Sequence, residues 1–190
     1  MTAHLEAVRA TAREVCTPDW AALDWRFLLP DPSLGRTACI HVPPGVRDAL
    51  FHAGTDVTTL DGGPAEADWG SFDAVVCCQA SRSALGNAVR LLRANGTAIV
   101  HLPGWPVRAS SMRQRCRQLG ARMLGMYLHY PNFARSRYIL PLHDHAATRF
   151  ALSTLAGPRV RALKGLAPLA LALAPMLGKG QVTVVVQPAS

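Results

Sequence analysis

Acidic residues are nearly missing from the second half of this chain. Residues 101–190 carry 12 Lys and Arg against a single acid, Asp144, a balance of +11. Residues 1–100 carry 8 against 11, a balance of −3, and the two halves sum to the +8 of the whole. Such asymmetry points to an anionic partner for the C-terminal half, unless arginine serves there simply as a surface residue. A CxxC pair is also missing. The five cysteines, Cys16, Cys39, Cys77, Cys78 and Cys116, are odd in number and scattered. That argues against a disulfide framework and against a structural zinc site, and leaves buried, small apolar side chains as the expectation. The start, Met1-Thr-Ala-His-Leu-Glu6, has neither the basic segment nor the apolar core of a secretory signal, so a cytoplasmic protein is expected. The longest apolar run, Gly165 to Leu177, is too short to cross a bilayer and is broken by Pro168 and Pro175. No membrane span, repeat or low-complexity tract is expected.

What remains is a globule. The chain has 190 residues, 49% of them apolar, enough for one domain with a sizeable core. Helical spacing runs from His4 to Cys16, and Pro18 ends it. Residues 1–36 are read as a helical N-terminal segment and 37–190 as the core of a single domain. Strands are expected at Thr37–Val42, Asp56–Asp61, Ser71–Cys78, Thr97–Leu102, Ala121–Tyr130 and Gln181–Val186, with a short extended piece at Arg137–Pro141. Helices are expected at Val46–Ala53, Ser83–Arg93, Ser110–Gln118, His145–Leu155 and Ala162–Leu177. Asn95-Gly96 should close its helix with a left-handed turn. Ser71–Cys78 is almost continuously apolar, as a strand covered on both faces must be. Strands alternating with helices give an α/β fold, an open and mostly parallel sheet with helices on both faces.

Several residues carry chemistry. Cys78 and His101 end strands at the edge where such sheets present ligands, and so does His41. A Cys–His pair there would make an activated nucleophile, although packing is the ordinary fate of such a thiol. A histidine acting as general base is the better use of the site, because imidazole titrates near neutrality. His129, His143 and His145 lack a supporting acid or thiol cluster, so no metal is expected. Tyr130-Pro-Asn-Phe-Ala-Arg135-Ser-Arg137-Tyr138 is the densest mixture of aromatic and cationic side chains. Tyr130, Arg135 and Arg137 would suit a planar or anionic substrate. Arg113, Arg115, Arg117 and Arg122 offer a basic face, but no nucleic-acid module accompanies them.

A family enters through segments in a set order. Asp24-Trp-Arg-Phe-Leu-Leu-Pro30 is similar to the stretch preceding the first strand in some class I S-adenosylmethionine-dependent methyltransferases. Val57-Thr-Thr-Leu-Asp61 resembles their second strand and Ser71-Phe-Asp-Ala-Val-Val-Cys77 their fourth. Arg90-Leu-Leu-Arg-Ala-Asn-Gly-Thr-Ala-Ile-Val100 resembles their helix, turn and fifth strand, and Gln181–Pro188 their antiparallel closing strand. The resemblance covers residues 24–188 and implies a Rossmann-like methyltransferase fold. It implies cofactor contacts at Asp61, which would hold a ribose, and at Gly45 and Cys77. It also places the 130–138 segment where the family often builds a substrate lid. The alternative role for Asp61 is a loop acid capping a turn beside Gly62-Gly63.

The departure from the family is the glycine-rich loop after the first strand. Its glycines let backbone N–H groups approach the cofactor. Here the run is Ile40-His41-Val42-Pro43-Pro44-Gly45-Val46, in which one glycine remains and two prolines delete two donors. S-adenosylmethionine is therefore not expected in its usual grip. The leading expectation is a diverged member that no longer methylates and binds or rearranges a small anionic or aromatic intermediate, by analogy in bacterial tailoring metabolism. The alternatives are a working S-adenosylmethionine-dependent methyltransferase, and a basic binding module for RNA or an acidic protein or peptide.

Overall fold

A computed structural model describes residues 20–79, 81, 83–103, 108–144, 146–150 and 181–189. The expected helices at His4–Cys16 and Ala162–Leu177 lie outside the described residues, as does most of the one at His145–Leu155, of which 146–150 is helical.

A 3-10 segment, Trp20–Leu28, leads into β1 (Arg36–Ile40), α1 (Pro44–His52), β2 (Asp56–Thr59), β3 (Phe72–Cys77), α2 (Ala84–Leu91), β4 (Leu92–Pro103), α3 (Ala109–Gln118), β5 (Ala121–Asn132), β6 (Arg135–Pro141) and β7 (Gln181–Pro188). The seven strands among the described residues form one sheet in the order β2-β1-β3-β4-β7-β5-β6. β2, β1, β3 and β4 are parallel, and β7 runs antiparallel to both β4 and β5. The expected Rossmann-like sheet with an antiparallel C-terminal strand is thus present, and the chain has a class I methyltransferase-like fold. Between β2 and β3 there is only a 3-10 turn, Glu66–Asp68, so β2 forms one edge. β7 is interior, which closes it as a route to edge-to-edge pairing with a second copy.

Alternation along the strands divides the core in two. Ala38, Ile40, Val75, Cys77, Ala98, Val100, Val182 and Val184 face α2 and α3, meeting Leu85, Ala88, Leu91, Met112 and Cys116. Cys39, Val76, Ile99 and Val185 face the 3-10 segment and α1, meeting Leu23, Trp25, Val46 and Leu50. The strands are apolar on both faces because both are covered.

The two best family-like segments hold each other. Asp73 of β3 forms an ion pair with Arg93 and accepts the Arg36 N–H at 2.9 Å. Asn95 takes φ 67, the left-handed turn expected of it. A Cβ on Gly96 would come within 3.0 Å of the Phe72 and Asp73 carbonyl oxygens. These neighbours are backbone and cannot step aside. Gly96→Ala is expected to cost about 1–3 kcal/mol, seen as a lower urea midpoint at unchanged slope. An unaltered midpoint would mean that β3 and β4 separate freely.

Some boundaries moved. β1 stops at Ile40 because His41 adopts φ 50 and leaves the ladder. β2 stops at Thr59, two residues before Asp61. The segment between Tyr130 and Tyr138 is a hairpin, with Tyr130 opposite Tyr138 and a register shift between Tyr130 and Pro131. A bulge absorbs the proline, which has no N–H to donate to a regular ladder.

Candidate functional site

Parallel strands bring their carboxyl ends to one edge, and two clusters form there. The first joins the β1–α1 connection to the residue after β2. His41 N–H donates to Asp61 Oδ1 at 2.8 Å. The Arg47 guanidinium lies 4.0 Å from Asp61 Oδ2. Leu60 N–H donates to Cys39 O, and Val46 N–H to Pro43 O. The carboxylate thereby pins the left-handed His41 and faces the cation of α1. Gly45 sits in the first turn of α1, where an added Cβ would meet nothing within 4 Å, so close approach by neighbouring atoms does not demand glycine there.

The His41 N–H is spent on Asp61, and Pro43 and Pro44 have no N–H to offer a ligand. The Asp61 carboxylate accepts that N–H with one oxygen and lies near Arg47 with the other, while its side chain stays 49% exposed.

Among the described residues the four thiols, Cys39, Cys77, Cys78 and Cys116, are buried deeply enough to disfavour the thiolate. Burial pushes Cys39 up to about 12, with Arg47 opposing and Asp61 adding. Burial pushes Cys77 up to about 11, and its side chain is on the α2–α3 face. Cys78 packs on the opposite face and is raised by burial, then by Cys77 and Cys39. The groups that move Cys78 are thus other thiols and the apolar surroundings.

The second cluster is aromatic. On the face covered by the 3-10 segment, Trp25, Phe133 and His101 form a stack. Trp25 and Phe133 have centroids 5.8 Å apart and planes 22° apart, and Phe133 and His101 are 4.9 Å and 20° apart. His129 meets this stack edge-on, 5.3 Å from Phe133 and 6.5 Å from His101. His101 Nδ1 lies 3.3 Å from Thr183 Oγ1, its partner residue across β4 and β7. His129 Nδ1 lies 2.6 Å from Ser136 Oγ, and that hydroxyl is 3.0 Å from Asn132 O. The serine has one proton. Given to a carbonyl, it leaves the oxygen to accept from Nδ1–H; given to Nδ1, it leaves Nε2 as the N–H. Nε2 is buried and has no hydrogen-bond partner. Burial, then the nearby His101, pulls the His129 pKa down to about 3.

Of the residues singled out from sequence, His41 and Asp61 are brought into contact, and His101 enters the stack. Arg135 is exposed on the hairpin turn beside Phe133, its N–H donating to Asn132 Oδ1 at 2.9 Å. Tyr130 and Arg137 are residues of β5 and β6 whose side chains lie outside the described part of the structure. Arg47, Trp25, Phe133, Ser136 and Thr183 were missed as site residues, because each acquires its partner only through the fold. Among the described residues no three His, Cys, Asp or Glu side chains gather as a metal site, and no helix is long and apolar enough to cross a membrane.

No family model matches the chain, and no curated protein matches it in sequence. Among solved structures, it is similar to the [4+2]-cyclase SpnF, at 14% identity over 83% of this chain and 76% of that one, with a TM-score of 0.40. It is similar to a TehB-like SAM-dependent methyltransferase from Corynebacterium glutamicum, at 11% identity over 100% of both chains, with a TM-score of 0.41. A SAM-dependent methyltransferase from Geobacter sulfurreducens in complex with S-adenosyl-L-homocysteine matches at 14% identity over 90% of each, with a TM-score of 0.37.

Proposed function

We propose that this chain is a methyltransferase-fold protein that no longer methylates, and that it binds or rearranges a small aromatic or anionic molecule at the carboxyl edge of its sheet. The observation that carries this reading is the Asp61 carboxylate, held by the His41 N–H and facing Arg47 where the family would hold a ribose. Prolines in place of the glycine loop work in the same direction. The non-methyl chemistry open to such a site is proton movement. His101 is an imidazole enclosed with aromatic rings, and an imidazole can take a proton from one atom of a bound molecule and return it to another. Arg135, exposed on the adjoining turn, would meet an anionic group.

One observation favours a second reading, a working methyltransferase: the Asp61 side chain remains 49% exposed and within reach of a ligand hydroxyl. Calorimetric titration with S-adenosylmethionine and S-adenosylhomocysteine separates the two. No binding at micromolar concentration is expected. Micromolar binding that disappears in Asp61→Ala would overturn the proposal and start a search for the methyl acceptor.

A further inference from the structure

Between Asp73 and Asp144 the chain has no acid and ten arginines. That stretch builds α2, β4, α3, β5 and β6. Four of its arginines converge on the amino edge of the sheet, opposite the edge that holds His41 and Asp61. β4 and β5 point the same way, because β7 is antiparallel to both, and Arg93 and Arg122 stand near their starts. α2 and α3 each run back from the carboxyl edge to reach those starts. Their last turns therefore end at the amino edge, carrying Arg90 and Arg117. All four residues are exposed.

Neutral contacts hold much of this edge in place. Gly70 N–H donates to Arg90 O at 2.9 Å, and the Arg90 guanidinium lies 5.4 Å from the centroid of the Trp69 ring. Arg122 Nη2 donates to Gln187 Oε1 at 3.4 Å, and Gln187 Nε2 donates to Asn95 O at 3.2 Å, which ties β5 across β7 to β4. Asp73 offsets the charge of Arg93. Among the described residues, Arg90, Arg117 and Arg122 have no acid at ion-pair distance. Toward β2 the balance changes. Asp56 stands opposite Arg36 in the ladder, and Asp68 beside Trp69 accepts the Ala65 N–H at 3.0 Å. The positive field is therefore strongest at the β4–β5 end.

The spacing of the charges bears on what they meet. β4 and β5 are second neighbours in the sheet, so Arg93 and Arg122 start about 10 Å apart, at roughly 4.8 Å per strand. Carboxylates at i and i+7 of a helix share one face and are about 10.5 Å apart, at about 1.5 Å per residue. A nucleic-acid strand is far denser, with a charge every ~3.4 Å along the helix axis. Its binding also favours open aromatic faces, whereas Trp69 is covered by Arg90. We propose that the amino edge formed by Arg90, Arg93, Arg117 and Arg122 docks an acidic segment of a partner protein, a helix whose carboxylates recur at about every second turn. This surface is separate from the small-molecule site, which lies at the other end of the strands.

The test titrates the full chain, at low salt, into three fluorescent probes followed by anisotropy. Two are helix-forming, alanine-based peptides with equal numbers of glutamates, placed at every seventh position in one and clustered at the N-terminus of the other. The third is a single-stranded DNA oligomer. The spaced peptide is expected to bind most tightly. Arg117→Gln and Arg122→Gln are each expected to weaken that binding about twofold to threefold, and together about fivefold, as exposed charge contacts do. Arg108→Gln removes the same charge from the opposite end of α3, at the carboxyl edge, and is expected to leave the affinity unchanged. An equal loss in Arg108→Gln would overturn the proposal, because net charge alone would then account for binding. Equal affinity for the two peptides, or no binding of the spaced one, would reduce the edge to a solvated face. Tighter binding of the DNA oligomer would assign the edge to nucleic acid instead. Cofactor titration reads the His41–Asp61 end, so its outcome and this one are independent.

Discussion

Lowering the pH from 7 to 4 is expected to destabilise the fold by about 3 kcal/mol through His129 alone. The imidazole has its pKa drawn down to about 3 from an ordinary 6.5, first by burial and then by His101. A depressed folded value means that the unfolded chain binds the proton more readily. Stability is therefore complete above about 6.5, is lost as the pH falls below it, and reaches its full deficit at about 3. Protonation would place a cation 1% exposed against the edge of a second imidazole. Urea denaturation at pH 7 and pH 4 measures the loss, and His129→Phe provides the reference. The other charged contacts, including Asp61–Arg47 and Asp73–Arg93, are common to both proteins and cancel in the difference. Equal pH slopes in the two would mean that Nε2 is solvated in the folded state.

Truncating Trp25 to alanine should cost about 3–5 kcal/mol, the range for removing a fully buried aromatic side chain. The residue is 1% exposed and ties the 3-10 segment to the sheet face through Phe133. Its indole N–H donates to Ala22 O at 2.7 Å, closing the 3-10 turn. Trp25→Phe keeps a ring against Phe133 and gives up the donor, so it should lose only about 1 kcal/mol beyond its smaller area. Chemical denaturation of the two variants distinguishes stacking from hydrogen bonding. Similar losses in both would place the energy in the Ala22 contact rather than in the stack.

The architecture was legible because it rests on local patterns. β3 and β7 are nearly unbroken apolar runs, which a strand needs when both faces are buried. Asn95-Gly96 announced its turn because few residue pairs tolerate that backbone so well. β6 was harder to read, since Pro131 and Pro141 look like terminators while the first sits at a bulge and the second at a strand end. The left-handed His41 could not be read at all. Histidine adopts that conformation uncommonly, and here a carboxylate twenty positions away holds it. The candidate site divides along the same line. Residues at strand ends, such as His101 and Cys78, follow from alternation and sheet polarity. The aromatic stack does not, because Trp25 and Phe133 belong to segments that meet only after the sheet and its covering layer have formed.

The position of β7 has a consequence for how the chain is made. β7 is the strand that hydrogen-bonds both β4 and β5, so the β5–β6 hairpin is joined to the parallel half of the sheet by way of residues 181–188. During synthesis from the N-terminus, β1 to β4 can assemble first and the hairpin can close on itself. The facing edges of β4 and β5 then stay unpaired throughout translation of the interval between Pro141 and Gln181. Completion of the sheet is an insertion, made late and across a long sequence separation, which favours slow folding. The vulnerable species on the ribosome is a half-sheet with an open apolar edge, and a chaperone that shields that edge would act on this protein before β7 exists.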